Sequence, residues 1–288
     1  MRVPLAELRA LFRSSPAFKR LLMADVATQL GDGGLLIAFP LLILEQTGDV
    51  TLTGLAFSGE ILALGLLSPM AGVWADRFDQ KRVMIGANLA RVALFGLLLL
   101  ALALHLPAWS FIGLSLALGG VGAFFMPARA AFMRRLLEKD ALEQAIALEG
   151  TLSFLLRLIS PALMGLLLTV YPARMGIVAD MAAYFLAVLL LLPAWVKGSI
   201  TVEPEAEAPG AWKEGWKTLL ESPPFRMLMG LDVVVSLAGM AAFSLTMAFI
   251  QTVLHLPAQA NGWLLAATGL AGAVGTRFAG RLKRMGGV

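Results

Sequence analysis

The chain has 288 residues, 59% of them apolar, and a mean hydropathy of +0.81. A soluble domain of that composition would expose far too much hydrocarbon to water, so the sequence reads as an all-α, polytopic membrane protein. Cysteine is absent, which excludes disulfides and thiolate metal sites, and the net charge of +4 reflects orientation in a bilayer rather than nucleic-acid binding.

Residues 1–17 carry Arg2, Arg9 and Arg13 with Leu5, Leu8, Leu11 and Phe12 at helical spacing, the pattern of an amphipathic segment lying on the membrane surface. The apolar run that follows is too long for a signal-peptide core and lacks a small-residue cleavage site, so no processing is expected. Apolar runs of spanning length fall at about 18–44, 51–75, 83–105, 108–133, 142–170, 175–196, 224–250 and 260–280. Short turns separate them, except for a polar, acidic and proline-bearing linker over 197–223. This topology places 19 of the 23 Lys and Arg residues on one side, which the positive-inside rule assigns to the cytoplasm, together with the amino terminus and the linker.

In the first span Asp25, Gln29 and Asp32 share one helix face, and Gly31, Gly33 and Gly34 remove bulk where the helix could bend. A charge at helix centre costs about 2.5–3.5 kcal/mol on insertion scales, so this face must line water or meet partners. Asp25, only two turns in, has a structural reading as the partner of cytoplasmic bases; for Asp32 the functional reading is preferred. Glu60 lies in the second span, Asn88 and Arg91 at i, i+3 in the third. Asp32 and Glu60 are candidate proton or cation carriers with Arg91 as the partner that tunes them. The alternative is a static ion pair that holds helices together.

Between the second and third spans runs Gly72-Val73-Trp74-Ala75-Asp76-Arg77-Phe78-Asp79-Gln80-Lys81-Arg82, read as a charged loop at a helix end. Gly72 there permits close approach of another backbone. Arg129, near the end of the fourth span, reads as a gate or snorkelling residue. In the fifth span Glu149, Ser153, Arg157 and Ser160 share a face followed by Pro161, either a cavity wall with Gln29 or a kinked packing surface. Asp180 and Asp232 read as structural. The runs Leu97–Leu104 and Leu186–Leu192 are read as lipid-facing or core. His105 and His255 lie far apart, so neither a metal site nor a cofactor is expected, and no phosphate loop or catalytic triad is present.

Ser15-Pro16-Ala17-Phe18-Lys19 aligns without gaps with Ser222-Pro223-Pro224-Phe225-Arg226 at an offset of 207, and Asp25-Val26 then meets Asp232-Val233. A long internal repeat of this kind marks two like-built halves.

The Gly72–Arg82 segment resembles the loop between the second and third spans of major facilitator transporters, whose pattern runs Gly-x-Leu-Ala-Asp-Arg-x-Gly-Arg-Lys. The sequence keeps Gly72, Ala75, Asp76, Arg77 and Lys81, with Trp74 for Leu, Asp79 for Gly and Gln80 for Arg. The variant Asp-Arg-Phe-Asp-x-Lys/Arg-Arg is most similar to that of the branch holding macrolide-efflux proteins and the enterobactin exporter. Ser160-Pro161-Ala162-Leu163-Met164-Gly165 partly matches the Gly-Pro-x-x-Gly-Gly of such exporters. The resemblance implies a facilitator-type helical bundle, with a complete six-helix first half over 18–196, the cytoplasmic linker 197–223 and two helices of a second half over 224–288. A whole member would have about 400 residues and twelve spans, so the chain is expected to be truncated after its eighth.

The same resemblance implies a secondary transporter of the cytoplasmic (inner) membrane, working by alternating access and monomeric at full length. It points to proton-coupled export of amphipathic small molecules such as drugs, macrolides or siderophore-like compounds. It also implies a conformational latch at Gly72, Asp76, Arg77, Lys81 and Arg82, whose partner helix lies beyond this chain. Two alternatives stay open: an importer of a sugar or metabolite with the same fold, and a non-transporting remnant or scaffold.

Overall fold

The structure is a computed structural model that describes residues 12, 15–193, 221–256, 260, 264 and 267. Among these residues it is built from helices alone: α1 Pro16–Gly31, α2 Gly33–Thr47, α3 Val50–Arg77, α4 Gln80–Ala103, α5 Trp109–Leu136, α6 Lys139–Val170, α7 Arg174–Leu191 and α8 Pro223–Thr252. Among the described residues six stretches are long and apolar enough to cross a membrane, with α1 and α2 together forming the first. The run expected to form a seventh span falls on α8, which is not one of the six. Most of the expected eighth, most of the amino-terminal segment and nearly all of the linker lie outside the described residues.

Helix boundaries follow from capping chemistry. Ser15 opens α1, its hydroxyl accepting from the Phe18 N–H at 3.3 Å, and Pro16 sits where its missing N–H costs nothing. Gly48, at φ 65°, closes α2. Asp49 opens α3 by accepting from the Thr51 and Leu52 N–H groups at 2.7 and 3.1 Å, and Asp79 opens α4 through the Arg82 N–H at 3.2 Å. In the repeat, Ser222 stands before α8 as Ser15 stands before α1, so the two helices begin at equivalent positions.

The charged segment that the sequence suggests is a loop is mostly helix. Helix α3 continues through Asp76 and Arg77, and only Phe78 and Asp79 separate it from α4. Asp79 accounts for this: as the cap of α4 it starts the next helix at once.

Helix α3 packs most extensively on α5, α5 also on α4, α4 on α7, and α7 on α1 and α2, while α6 lies against α1 and α2. The α3–α5 crossing depends on small residues. A Cβ at Gly119 would collide with the Glu60 carbonyl oxygen, and one at Gly59 would lie 3.3 Å from the Ser115 hydroxyl.

Two apolar clusters fill the bundle. One, at the end where α1 starts, gathers Phe18, Leu21, Met84, Phe132, Ala187 and Leu191; the other gathers Ile37, Phe39, Phe95, Leu98, Phe111 and Ile177. Along the first span (α1 and α2), α4 and α7 the polar positions fall between the two clusters in sequence. The outer faces are apolar: Leu97, Leu100, Leu104, Leu186, Leu189 and Leu192 are about half exposed, as a lipid-facing surface requires, while Leu98 and Leu191 between them are buried.

Gly119→Ala is expected to force α3 and α5 apart at a cost of about 1–3 kcal/mol, whereas Gly113→Ala on the same helix, where a Cβ meets nothing within 4 Å, should be neutral. Melting in detergent followed by circular dichroism checks this. Equal melting temperatures for both variants would contradict the close crossing.

Candidate functional site: a charged cavity within the bundle

A cavity of about 610 Å³ opens between α1, α3, α4, α5, α6 and α7. Its polar lining comes from α1 (Asp25, Thr28, Gln29) and Asp32 just after it, from Arg91 on α4, Arg129 on α5 and Tyr184 on α7, and from Glu149, Ser153, Arg157 and Ser160 on α6. The face predicted from the spacing in the first span therefore looks into this cavity. Leu36, Leu64, Phe125 and Met126 supply its apolar wall.

Two guanidinium groups organise the charges. Arg129 donates from Nε to Asp25 Oδ2 at 2.7 Å and from a terminal nitrogen to Glu149 Oε1, joining α5 to α1 and α6. All three side chains are largely withdrawn from water, with Arg129 8% exposed. Arg129 is thus no snorkelling residue. Snorkelling serves a cation that lacks a nearby anion, and here two carboxylates meet it within the bundle. Glu149 lines the cavity with its charge already engaged.

Arg91 organises the second group. It donates to Glu60 Oε1 at 3.3 Å and to the Tyr184 hydroxyl, and Tyr184 in turn donates to Asp32 Oδ1 at 2.7 Å. The resulting chain, Asp32–Tyr184–Arg91–Glu60, crosses four helices. It fits because Gly122 has no side chain: a Cβ there would collide with an Arg91 terminal nitrogen. Asn88, one turn before Arg91, is 1% exposed, and its amide has no hydrogen-bond partner among the described residues.

Asp32 stands where the first span is interrupted, between α1 and α2, its N–H donating to the Thr28 carbonyl at 2.8 Å and its carbonyl accepting from Leu36 at 3.0 Å. Beside it, Gly31 meets α7 closely: a Cβ there would lie 2.6 Å from that of Ala183 and 3.3 Å from the Asp180 Cα. Ser160 donates to the Leu30 carbonyl at 2.9 Å, tying α6 to this break.

The proposed latch residues fall elsewhere. Lys81 donates to the Leu192 carbonyl at 2.6 Å and Arg20 to that of Pro193, so both cations serve the carboxyl end of α7. Among the described residues Arg82 pairs locally, 3.8 Å from Asp79, with its side chain 88% exposed. A Cβ at Gly72 would meet nothing within 4 Å, so the close backbone approach expected there is not made to any described residue. The side chains of Asp76 and Arg77 lie outside the described residues.

Tyr184 is the member of the Arg91 cluster that sequence reasoning missed. Its signal was modest: a tyrosine in mid-span must find a partner for its hydroxyl.

The sequence profile of the Major Facilitator Superfamily matches residues 21–287. The chain belongs to that superfamily. Among curated superfamily proteins, it is 24% identical to the MFS-type transporter YfiS of Bacillus subtilis, over 91% of this chain and 63% of that protein. It is 30% identical to the enterobactin exporter EntS of Shigella boydii, over 95% of this chain and 65% of the exporter. It is also 29% identical to macrolide efflux protein A of Streptococcus pyogenes, over 50% of this chain and 36% of that protein. The chain thus spans somewhat less than two thirds of the length of YfiS and of EntS, and its match to macrolide efflux protein A covers about a third of that protein.

Arg129→Met strands two buried carboxylates and should destabilise the bundle by about 3–5 kcal/mol. Adding Asp25→Asn and Glu149→Gln should recover much of that loss. Thermal denaturation of the single and triple variants checks it, and a triple variant no more stable than the single would contradict the arrangement.

Proposed function

We propose that this superfamily member is a proton-coupled exporter of amphipathic small molecules, working by alternating access in the cytoplasmic membrane with its amino terminus in the cytoplasm. The observation that carries the reading is the chain Asp32–Tyr184–Arg91–Glu60, which links two carboxylates to one guanidinium, Glu60 directly and Asp32 through the Tyr184 hydroxyl, beside a cavity within the bundle. Charged groups so placed are costly and mark ion paths.

The chemistry follows from the partners. A proton taken up by Glu60 or Asp32 removes one of the charges that hold Arg91, and weakens the link between α4 and the helix that carries that acid. Loss of the proton restores the link. Alternate exposure of the acids to the two sides of the membrane would convert this change into movement, with each charge that crosses 100 mV contributing about 2.3 kcal/mol. The Arg129 cluster serves a different end: a guanidinium shared by two acids is a fastening near the end of the bundle where α1 starts.

The similarity to an enterobactin exporter and a macrolide efflux protein supports export and an amphipathic substrate. The apolar wall of Leu36, Leu64, Phe125 and Met126 suits the same class.

In everted vesicles containing the full chain, a pH gradient, acid inside, is expected to drive accumulation of at least one fluorescent amphiphile from a panel of both charge signs, and an uncoupler should abolish it. Asp32→Asn should remove the gradient dependence and Tyr184→Phe should weaken it, while Asp25→Asn should mainly lower yield. Accumulation indifferent to the gradient, or equal loss in Asp32→Asn and Asp25→Asn at normal expression, would overturn the proposal.

A further inference from the structure

The carboxylates that line the cavity are all engaged. Arg129 holds Asp25 and Glu149, Tyr184 holds Asp32, and Glu60 behind them is held by Arg91. The polar side chains left over are of the opposite character. Arg157, Gln29 and Ser153 line the cavity, and none of them has a side-chain hydrogen bond or close ion pair to any described residue; the Arg157 charge acts on Asp32 through space, but no described side chain bonds its guanidinium. Arg157 is a cation, and Gln29 and Ser153 can each donate.

Depth makes this unusual. Arg157 lies about 27 Å along α6 from Lys139 and about 20 Å from its Val170 end, taking 1.5 Å per residue. It is therefore near the middle of a span, and it is exposed rather than packed. A mid-membrane guanidinium facing hydrocarbon would cost about 2.5–3.5 kcal/mol on insertion scales, so it must face the aqueous cavity it lines. Pro161, one turn on, has no N–H to give the Arg157 carbonyl, so an acceptor with no helical partner stands at the level of the unpaired donors.

We infer that the substrate is an amphipathic acid, its carboxylate or similar anionic group docked on Arg157, with Gln29 and Ser153 donating beside it and its apolar body against Leu64, Phe125 and Met126. This rests on the exporter reading and narrows it, because it excludes basic amphiphiles as the preferred cargo. Guanidinium to carboxylate is the strong, bidentate form of the contact, so Arg157 would set charge selectivity as well as affinity.

The test uses two probes with the same body and opposite charge, 2-naphthoate and 2-naphthylmethylammonium, titrated calorimetrically into the full chain in detergent. Naphthoate is expected to bind about tenfold tighter, the scale of one charge-assisted hydrogen bond. Arg157→Gln should abolish that preference, and Arg157→Lys should retain part of it. Should Arg157→Gln fail to fold, the wild-type preference and a weakened naphthoate affinity in Gln29→Leu decide the matter. Preference for the ammonium probe, binding of neither probe, or a naphthoate affinity untouched by Arg157→Gln would overturn the inference. The two readings fail separately: gradient-driven accumulation of basic amphiphiles alone would refute the acid specificity and leave the exporter standing, whereas acid binding without gradient-driven movement would do the reverse.

Discussion

Two guanidinium groups, on Arg91 and Arg129, sit inside a bundle whose outer surface is hydrocarbon, and the helices are arranged so that neither is left alone. Taking an ion out of water costs several kcal/mol even after relaxation, and only close, well-directed anions offset it. Arg129 draws its anions from α1 and α6, and Arg91 draws on α3 and, through Tyr184, on α7 and Asp32. Every membrane-crossing segment of this first bundle therefore supplies at least one group to these two clusters. A helix that moved independently would strand a charge, so the clusters couple the helices to one another.

Small residues make the coupling geometrically feasible. Gly119 lets α5 lie on the backbone of α3 at Glu60, and Gly122, one turn further, leaves space for the Arg91 guanidinium that binds the Glu60 carboxylate. The same helix crossing thus provides both the close packing and the room for the ion pair. Gly31 acts similarly between α1 and α7, just before the interruption at which Asp32 sits. The polar layer lies between two apolar clusters, which keep it enclosed at either end.

Much of this was legible in the sequence where periodicity or cost carries the signal. The spans follow from hydrophobic length, and the cavity face of α1 from the spacing of Asp25, Gln29 and Asp32. Partners distant in sequence were not legible: Tyr184 meets Arg91 across 93 residues and Asp32 across 152, and Arg129 meets Asp25 across 104. Helical periodicity says which face a residue shares with its own neighbours and nothing about which other helix comes to meet it. The Gly72–Arg82 segment shows the converse limit. Its charges marked a helix end correctly, but that Lys81 bonds the end of α7 was not readable from its spacing.

All of this requires that α1 and α6 present polar faces to water inside the membrane while α4 and α7 present leucines to lipid. Because the chain has no cysteine, single cysteines can be read without background in intact membranes. Reaction with a charged, membrane-impermeant methanethiosulfonate in open membrane fragments should label Ser153→Cys and Gln29→Cys rapidly and leave Leu97→Cys and Leu189→Cys unlabelled. Labelling at the leucine positions with protection at Ser153 and Gln29 would contradict this placement.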